Sequence, residues 1–274
     1  MNVKESRISP EEAASLDFSG LIGALGDENT PSGGRATIER SLLRSIIPPL
    51  GRVLDVGCAT GFTSFEISLA RPDLNVIGLD RNLLSIEHAR QRIARRPRIT
   101  FHVGDATRLP YVDEAFDFVF VGNVPSFSSE PIQMLDEARR VTRAGGWVVA
   151  VPIYFVQAPP AQLLTRVASA LGAPLPIRTE ADWMKIYSDA GLVVSSVERG
   201  SFRELSRGEI DAYVEQLATE DFNSRHHAET LGILSRRLAT FFALFNENNR
   251  YTGFSLVMLR RLDSAKSILF GTVS

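Results

Sequence analysis

The stretch from Arg52 to Gly61 constrains the fold more than any other part of the chain. Its first half has the apolar pattern of a buried strand, and its second half is a turn of small residues that opens a helix at Phe62. Gly57 and Gly61 permit backbone dihedral angles that residues with a Cβ avoid, and they let a ligand approach the main chain closely. The following helix points its free N–H groups at the space above the turn. The stretch therefore predicts a ligand site at the end of a strand.

Asp55 lies two residues before the first glycine of this turn and restricts the charge of the ligand. A dinucleotide fold places a pyrophosphate against such a turn, and a carboxylate there would repel it. A cationic ligand without phosphate would be tolerated or attracted. S-adenosylmethionine (SAM) is such a ligand, because it has a sulfonium and an ammonium group. An NAD-type oxidoreductase is the alternative interpretation, which Asp55 and the lack of a third spaced glycine disfavour.

Strand-like and helix-like segments alternate along the rest of the chain. This alternation predicts an α/β fold, with a parallel sheet that is doubly wound by helices on both faces. The predicted strands are 52–56, 75–80, 99–103, 116–121, 147–151, 192–197 and 251–261. Residues 202–249 are helical in pattern and far exceed a plain connection of about 2–6 residues. They therefore predict an added structural piece between the last two strands.

The 274 residues, 44% hydrophobic and 23% charged, suit one α/β domain with additions. We divide them into an N-terminal helical cap segment (1–47), a core (48–200), a helical lid insertion (201–249), the last core strand (250–262) and a tail (263–274). The large apolar residues of the insertion have two possible uses. They pack on the sheet, or they line an apolar substrate pocket.

Charge and cysteine content restrict the partners and the compartment. A net charge of −2 argues against a nucleic-acid partner. No apolar run reaches the roughly 18 residues of a membrane span, and residues 1–7 lack the apolar core of a signal peptide. Cys58 is the single cysteine, so no internal disulfide can form. We expect a cytoplasmic protein. No histidines and acids have the spacing of metal ligands, and we predict no metal site.

Acidic and polar residues recur where the predicted strands end. Asp55, Asp80 and Asp105 are spaced by 25 residues, one strand–helix unit each. Asn123 and Tyr154 follow two later strands. Ligands of such sheets bind beyond the carboxyl ends of the strands, so one shared site is expected there.

These motifs together resemble those of class I SAM-dependent methyltransferases of the small-molecule type, from about Arg52 to Val197 and again in the last strand. The run Asp55-x-Gly57-x-Ala59-x-Gly61 is similar to the acidic, glycine-rich first motif of that family. Ala59 replaces a family glycine, and its methyl group fits if the local φ is negative. The resemblance also implies a seven-stranded, mostly parallel sheet whose last strand is antiparallel.

The resemblance implies roles for residues at the strand ends. Asp80 matches an acid that accepts hydrogen bonds from both ribose hydroxyls of SAM. Asp105 matches an acid that reaches the adenine amino group, and Asn123 matches a position near the methyl donor. The pair Gly33-Gly34 resembles a glycine pair that helps to cover the cofactor, and a simple hinge is the alternative. The expected cofactor-binding residues are Asp55, Gly57, Cys58, Ala59, Gly61, Asp80, Arg81, Asp105, Ala106, Asn123, Val124, Gly33 and Gly34.

The implied reaction is methyl transfer from SAM to an O, N or C nucleophile of a small, partly apolar acceptor. An oxygen or carbon nucleophile can require a base, and the candidates for a catalytic role are His226, His227 and Tyr154. A solvated helix face is the alternative for the two histidines. A SAM-binding protein without catalysis and a methyltransferase of macromolecules remain alternatives. The acceptor and the oligomeric state stay open.

Overall fold

The structure is a computed structural model that describes residues 8–92, 97–172, 175–220, 223 and 226–261; the tail expected at 263–274 lies outside them. The helices are α1 (Pro10–Ser15), α2 (Phe18–Leu25), α3 (Gly34–Leu43), α4 (Phe62–Ala70), α5 (Leu83–Arg92), α6 (Pro131–Val141), α7 (Ala161–Leu171), α8 (Glu180–Asp189), α9 (Arg207–Ala218) and α10 (Ala228–Asn249). The strands are β1 (Arg52–Val56), β2 (Asn75–Asp80), β3 (Ile99–Val103), β4 (Phe116–Gly122), β5 (Thr142–Ala150), β6 (Ile153–Phe155), β7 (Val193–Ser201) and β8 (Thr252–Arg260). A 3₁₀ turn, Val124–Phe127, follows β4.

The strands form one sheet in the order β3-β2-β1-β4-β5-β8, and both β6 and β7 also pair with β8. The first five strands are parallel, whereas β8 runs antiparallel to β5. This confirms the expected α/β fold with an antiparallel last strand. The sheet of the described residues has eight strands instead of seven. The chain leaves the β5 ladder at Val151-Pro152 and resumes pairing with β8 as β6, so Ala150 faces Val257 and Ile153 faces Phe254.

Both faces of the central strands are buried, which explains their near-continuous apolar sequences. Strand alternation sends Val53 to one face and Leu54 to the other. Helices α3, α4 and α5 contribute to the core on the first face, and α6 and α8 contribute to the core on the second. Trp183 and Tyr187 of α8 are the largest fully buried side chains of the second face.

The N-terminal helices α1 and α2 and the inserted helices α9 and α10 form a cap that has an apolar core of its own. Leu21 and Ile22 of α2 pack in one cluster with Leu234 and Leu238 of α10, all at most 2% exposed. Arg237 of α10 also donates hydrogen bonds to backbone carbonyls at the end of α1. The buried apolar residues of the insertion therefore pack mainly on the N-terminal helices. Within the described part of the chain, no helix is long and apolar enough to cross a membrane.

Candidate functional site

A cavity of about 600 Å³ lies between the carboxyl ends of the strands and the cap. From the strand ends it is lined by Asp55, Val56, Gly57, Cys58, Ala59, Leu79, Asp80, Arg81, Gly104, Asp105, Ala106, Phe120, Val121, Gly122, Asn123, Val124, Ile153, Phe155 and Thr252. From α2 and the loop after it come Asp17, Phe18, Ser19, Ile22, Asn29, Thr30, Pro31 and Ser32. The structure thus brings the predicted strand-end residues of β1 to β4 to one cavity.

The turn after β1 is bent by residues with positive φ. Gly57 has a φ of 72° and Gly61 a φ of 93°. A Cβ at Gly57 would clash with the side chain of Val124, which packs directly over it. The N–H groups of Gly57 and Cys58 donate to the carbonyl of Leu79, at 2.7 and 3.0 Å, and so tie the turn to β2. Gly61 caps the start of α4 and does not line the cavity.

Ala59 does not meet the condition of a negative φ, because its φ is +46°. A left-handed backbone at a residue with a Cβ costs about 1–2 kcal/mol. Two contacts hold it there. The Ala59 N–H donates to Asp80 Oδ2 at 2.9 Å, and its side chain is buried in the apolar core of the cap.

Asp55 is 2% exposed, and its Oδ2 accepts a 2.6 Å hydrogen bond from the hydroxyl of Ser64 in α4. Burial raises the pKa of the Asp55 carboxyl to about 7, the Ser64 hydrogen bond lowers it, and the nearby charge of Asp80 raises it further. A cationic group in the cavity would favour the ionised form of Asp55. No sequence pattern marks Ser64 as the partner of Asp55, since a serine in a helix is common.

Asp80 and Asp105 differ in their surroundings. Burial also raises the pKa of Asp80. Its two carboxylate oxygens accept hydrogen bonds from the N–H groups of Ala59 and Asn82. Each oxygen keeps a further lone pair for a ligand hydroxyl. Asp105 is exposed, and hydrogen bonds from the N–H and hydroxyl of Thr107 lower its pKa. Two acids with different protonation behaviour therefore lie along one cavity.

The side chain of Asn123 is used to hold a loop. Its Oδ1 accepts from the Ser32 N–H at 3.1 Å, and its Nδ2 donates to the Ser32 hydroxyl at 2.6 Å. This pair fastens the loop of residues 29–32 to the end of β4. Gly33 and Gly34, with φ of 79° and 60°, come just after this loop and do not line the cavity. A Cβ at Gly33 would clash with Thr37.

The three candidates for a catalytic role do not line the cavity. Tyr154 points to the opposite side of β6 from Ile153 and Phe155, and its hydroxyl donates to the carbonyl of Phe254 at 3.3 Å. His226 is buried in the cap, with Nε2 2.9 Å from the carbonyl of Ala24. His227 precedes α10 and is exposed.

Comparison with known proteins identifies the core of this arrangement. Residues 53–146, which contain the glycine turn, Asp80 and Asp105, match the methyltransferase domain family. This part of the chain is therefore similar to a methyltransferase domain. The crystal structure of the MccD protein has the same fold, with a TM-score of 0.68, 22% identity, and coverage of 85% of this chain and 99% of that one.

Two curated relatives match parts of this chain. A malonyl-[acyl-carrier protein] O-methyltransferase of Legionella pneumophila is 32% identical over 113 residues, which cover 41% of this chain and 39% of the relative. A demethylmenaquinone methyltransferase of Renibacterium salmoninarum is 42% identical over 101 residues, which cover 37% of this chain and 40% of the relative. The matched stretches thus span about two fifths of each relative.

The family implies SAM as the cofactor of the methyltransferase domain, and the residues at the cavity fit it. The charged side chains among the described lining residues are Asp17, Asp55, Asp80, Asp105, Glu130 and Arg81. Five acids against one arginine favour a ligand with cationic groups and disfavour a pyrophosphate. No group of three or more His, Cys, Asp or Glu side chains in the described residues is arranged to hold a metal ion.

Proposed function

We propose that this protein transfers a methyl group from SAM to an O, N or C nucleophile of a small, partly apolar molecule. The observation that carries the proposal is the single cavity that joins the carboxylates at the ends of β1, β2 and β3 to an apolar region under the cap. The relatives, named for malonyl-[acyl-carrier protein] and demethylmenaquinone, support methyl transfer as the reaction class.

Residues of the strand ends would hold the cofactor. Asp55 and the turn from Gly57 to Gly61 would bind its amino-acid end, Asp80 its ribose hydroxyls and Asp105 its adenine. Bound SAM supplies a methyl group activated by the positive sulfonium. Arg81 lies beside Asp105, whose pKa it helps to lower, and would keep that carboxylate ionised.

The cap serves the reaction by positioning and by excluding water. A methyl transfer requires the nucleophile and the methyl carbon to be held in line, and such positioning accounts for much of the rate in reactions of this kind. Among the described residues that line the cavity there is no histidine. We therefore favour acceptors that need no strong base, such as an acidic hydroxyl or an unprotonated amine.

Calorimetric titration of the purified protein with SAM, S-adenosylhomocysteine and NADH tests the proposal. We expect both SAM and its demethylated product to bind and NADH not to bind. Asp80→Asn should weaken the affinity for SAM by about 10-fold or more, because the amide nitrogen cannot accept a hydrogen bond from a ribose hydroxyl. Asp73→Asn, at a surface ion pair with Arg71, is the matched control and should leave SAM binding unchanged. Binding of NADH in place of SAM would overturn the proposal.

A further inference from the structure

The cavity has a second region, away from the carboxylates of β1 to β3. Strand order places β6 and β8 on the other side of β4 from these strands. The apolar lining of this region comes from Ile153, Phe155, Val167, Leu171, Phe202 and Phe245. No charged residue from β6, α7, α10 or β8 is among the described lining residues.

Two buried polar side chains interrupt this apolar lining, and the partly exposed Asn249 also lines the cavity. Asn248 is 8% exposed and Thr252 is 5% exposed, and both line the cavity. Neither Asn248 Oδ1 nor Thr252 Oγ1 has a hydrogen-bond partner among the described residues. Buried polar atoms are nearly always paired in folded proteins, so two unpaired oxygens at one cavity require an explanation.

Asn248 and Thr252 flank the turn that joins α10 to β8, and both line the cavity. Thr252 lies opposite Phe155 in the β6–β8 register, so the two side chains project from the same face of the sheet. Asn248 is in the last turn of α10, and its carbonyl accepts the N–H of Tyr251 at 2.9 Å in the turn into β8. By contrast, the side chain of Asn246 forms two hydrogen bonds with the backbone of Leu205. Buried polar atoms without a partner among the described residues also occur elsewhere, as at Tyr187 and Thr230, but only those of Asn248 and Thr252 belong to residues that line the cavity.

We propose that Asn248 and Thr252 recognise a hydroxyl or N–H group on a methyl acceptor that is otherwise apolar and carries no negative charge. This rests on the proposed function. Asn248 Oδ1 can only accept, so the ligand group must donate, whereas the Thr252 hydroxyl can donate or accept. The excess of acids around the whole cavity disfavours phosphate or carboxylate acceptors.

Equilibrium binding to the full chain saturated with S-adenosylhomocysteine tests the recognition directly. The probes are naphthol and decanol, each with its methyl ether and its phosphate ester. We expect at least one alcohol to bind about 10-fold more tightly than its own ether and its own phosphate ester, because only the alcohol satisfies the buried oxygens without adding negative charge. Equal binding of the alcohol and the ether, tighter binding of the phosphate ester, or no binding of either alcohol would overturn the proposal.

Variants separate recognition from folding. Asn248→Leu and Thr252→Val should each reduce the preference for the alcohol over the ether to near unity, and neither should lower the Tm, because each removes an unpaired buried polar atom. Thr240→Val, an exposed threonine on the same helix, is the matched control and should keep the preference. If the variants keep the preference, Asn248 and Thr252 are not the recognition residues.

The affinity for SAM distinguishes failure of this inference from failure of the proposed function. The Asn248 and Thr252 variants should bind SAM as the unmodified protein does. A protein that binds SAM but does not discriminate between the probes overturns only the acceptor proposal. A protein that does not bind SAM overturns the proposed function itself.

Discussion

Ala59 keeps a left-handed backbone with φ of +46° in the turn that defines the site. Replacing it with glycine should relieve this strain and raise the free energy of unfolding by about 1 kcal/mol, a gain reduced by the loss of a buried methyl group. SAM affinity should not fall, since the N–H of residue 59 can still donate to Asp80. Urea unfolding and calorimetry measure the two effects. A destabilised Ala59→Gly protein would show that the methyl contact with the cap outweighs the strain.

Asp55 should make stability depend on pH. Its pKa is about 7 in the folded protein and about 3.9 when unfolded, so the folded state holds a proton that the unfolded state lacks between these values. The stability from this proton is full below about pH 4 and is lost as pH rises to about 7, by up to about 1.4 kcal/mol per pH unit. Urea unfolding between pH 5 and 8 should show a shallower decline for Asp55→Asn than for the unmodified protein.

The matched control for this pH dependence is Asp73→Asn. The pKa of Asp73 is lowered to about 2, first by its hydrogen bond with Arg71, so its contribution changes only below about pH 4. The decline between pH 5 and 8 should therefore persist in this variant. Binding of cationic SAM should also release a proton from Asp55 near pH 6, which calorimetry in buffers of different ionisation enthalpy detects. Identical slopes for the Asp55→Asn and unmodified proteins would contradict the assignment.

At the scale of elements, Asp27 joins three parts of the chain. Its Oδ2 accepts from the hydroxyl of Tyr213 in α9 at 3.1 Å, and its backbone carbonyl accepts from Thr60 of the glycine turn at 2.6 Å. Its Oδ1 accepts from the N–H of Asn29, which lines the cavity. The loop before α3, the turn after β1 and the inserted helix are therefore connected at one buried carboxylate.

Tyr213→Phe should loosen this connection. The substitution removes a hydrogen bond to a buried carboxylate, so the free energy of unfolding should fall by about 1–2 kcal/mol. The loss stays in this range because Tyr213 is partly exposed. Hydrogen exchange should increase in residues 27–32 more than in β1 or β4. Tyr251→Phe, at a partly buried tyrosine, is the control and should leave the exchange of residues 27–32 unchanged. Unaltered exchange of residues 27–32 in Tyr213→Phe would show that the hydroxyl does not hold the loop.

At the scale of the whole molecule, the cap should behave as one cooperative unit. Leu238 is fully buried in the cap core, and Leu238→Ala should destabilise it by about 2–5 kcal/mol. Because α2 and α10 share that core, hydrogen exchange should increase in both together while β1 and β4 stay protected. Leu135→Ala, in the core on the second face of the sheet, should instead raise exchange in β4 and β5. Increased exchange in α10 alone would contradict a shared core.

Much of the sheet could be predicted from the sequence because its signals are local. Apolar runs mark β1 and β4, and polar residues such as Asp55 and Asn123 lie at the ends of these strands or just beyond them. The contacts that complete the site join distant residues and leave no local pattern. Asn123 pairs with Ser32, 91 positions away, and Arg237 binds Ala13, 224 positions away. The left-handed Ala59 and the unpaired oxygens of Asn248 and Thr252 likewise depend on packing that no short stretch encodes.

The shared core of the cap has a consequence for the order of folding. Leu21, Ile22 and Leu25 of α2 are at most 2% exposed, and their partners Leu234 and Leu238 come more than 200 positions later in the chain. During synthesis at about 5–20 residues per second, the N-terminal helices wait for tens of seconds before α10 leaves the ribosome. Their apolar faces are uncovered throughout that time. Helices α1 and α2 are thus made long before α10 but reach their native contacts only after it, and we expect chaperones that bind apolar segments to recognise the nascent chain.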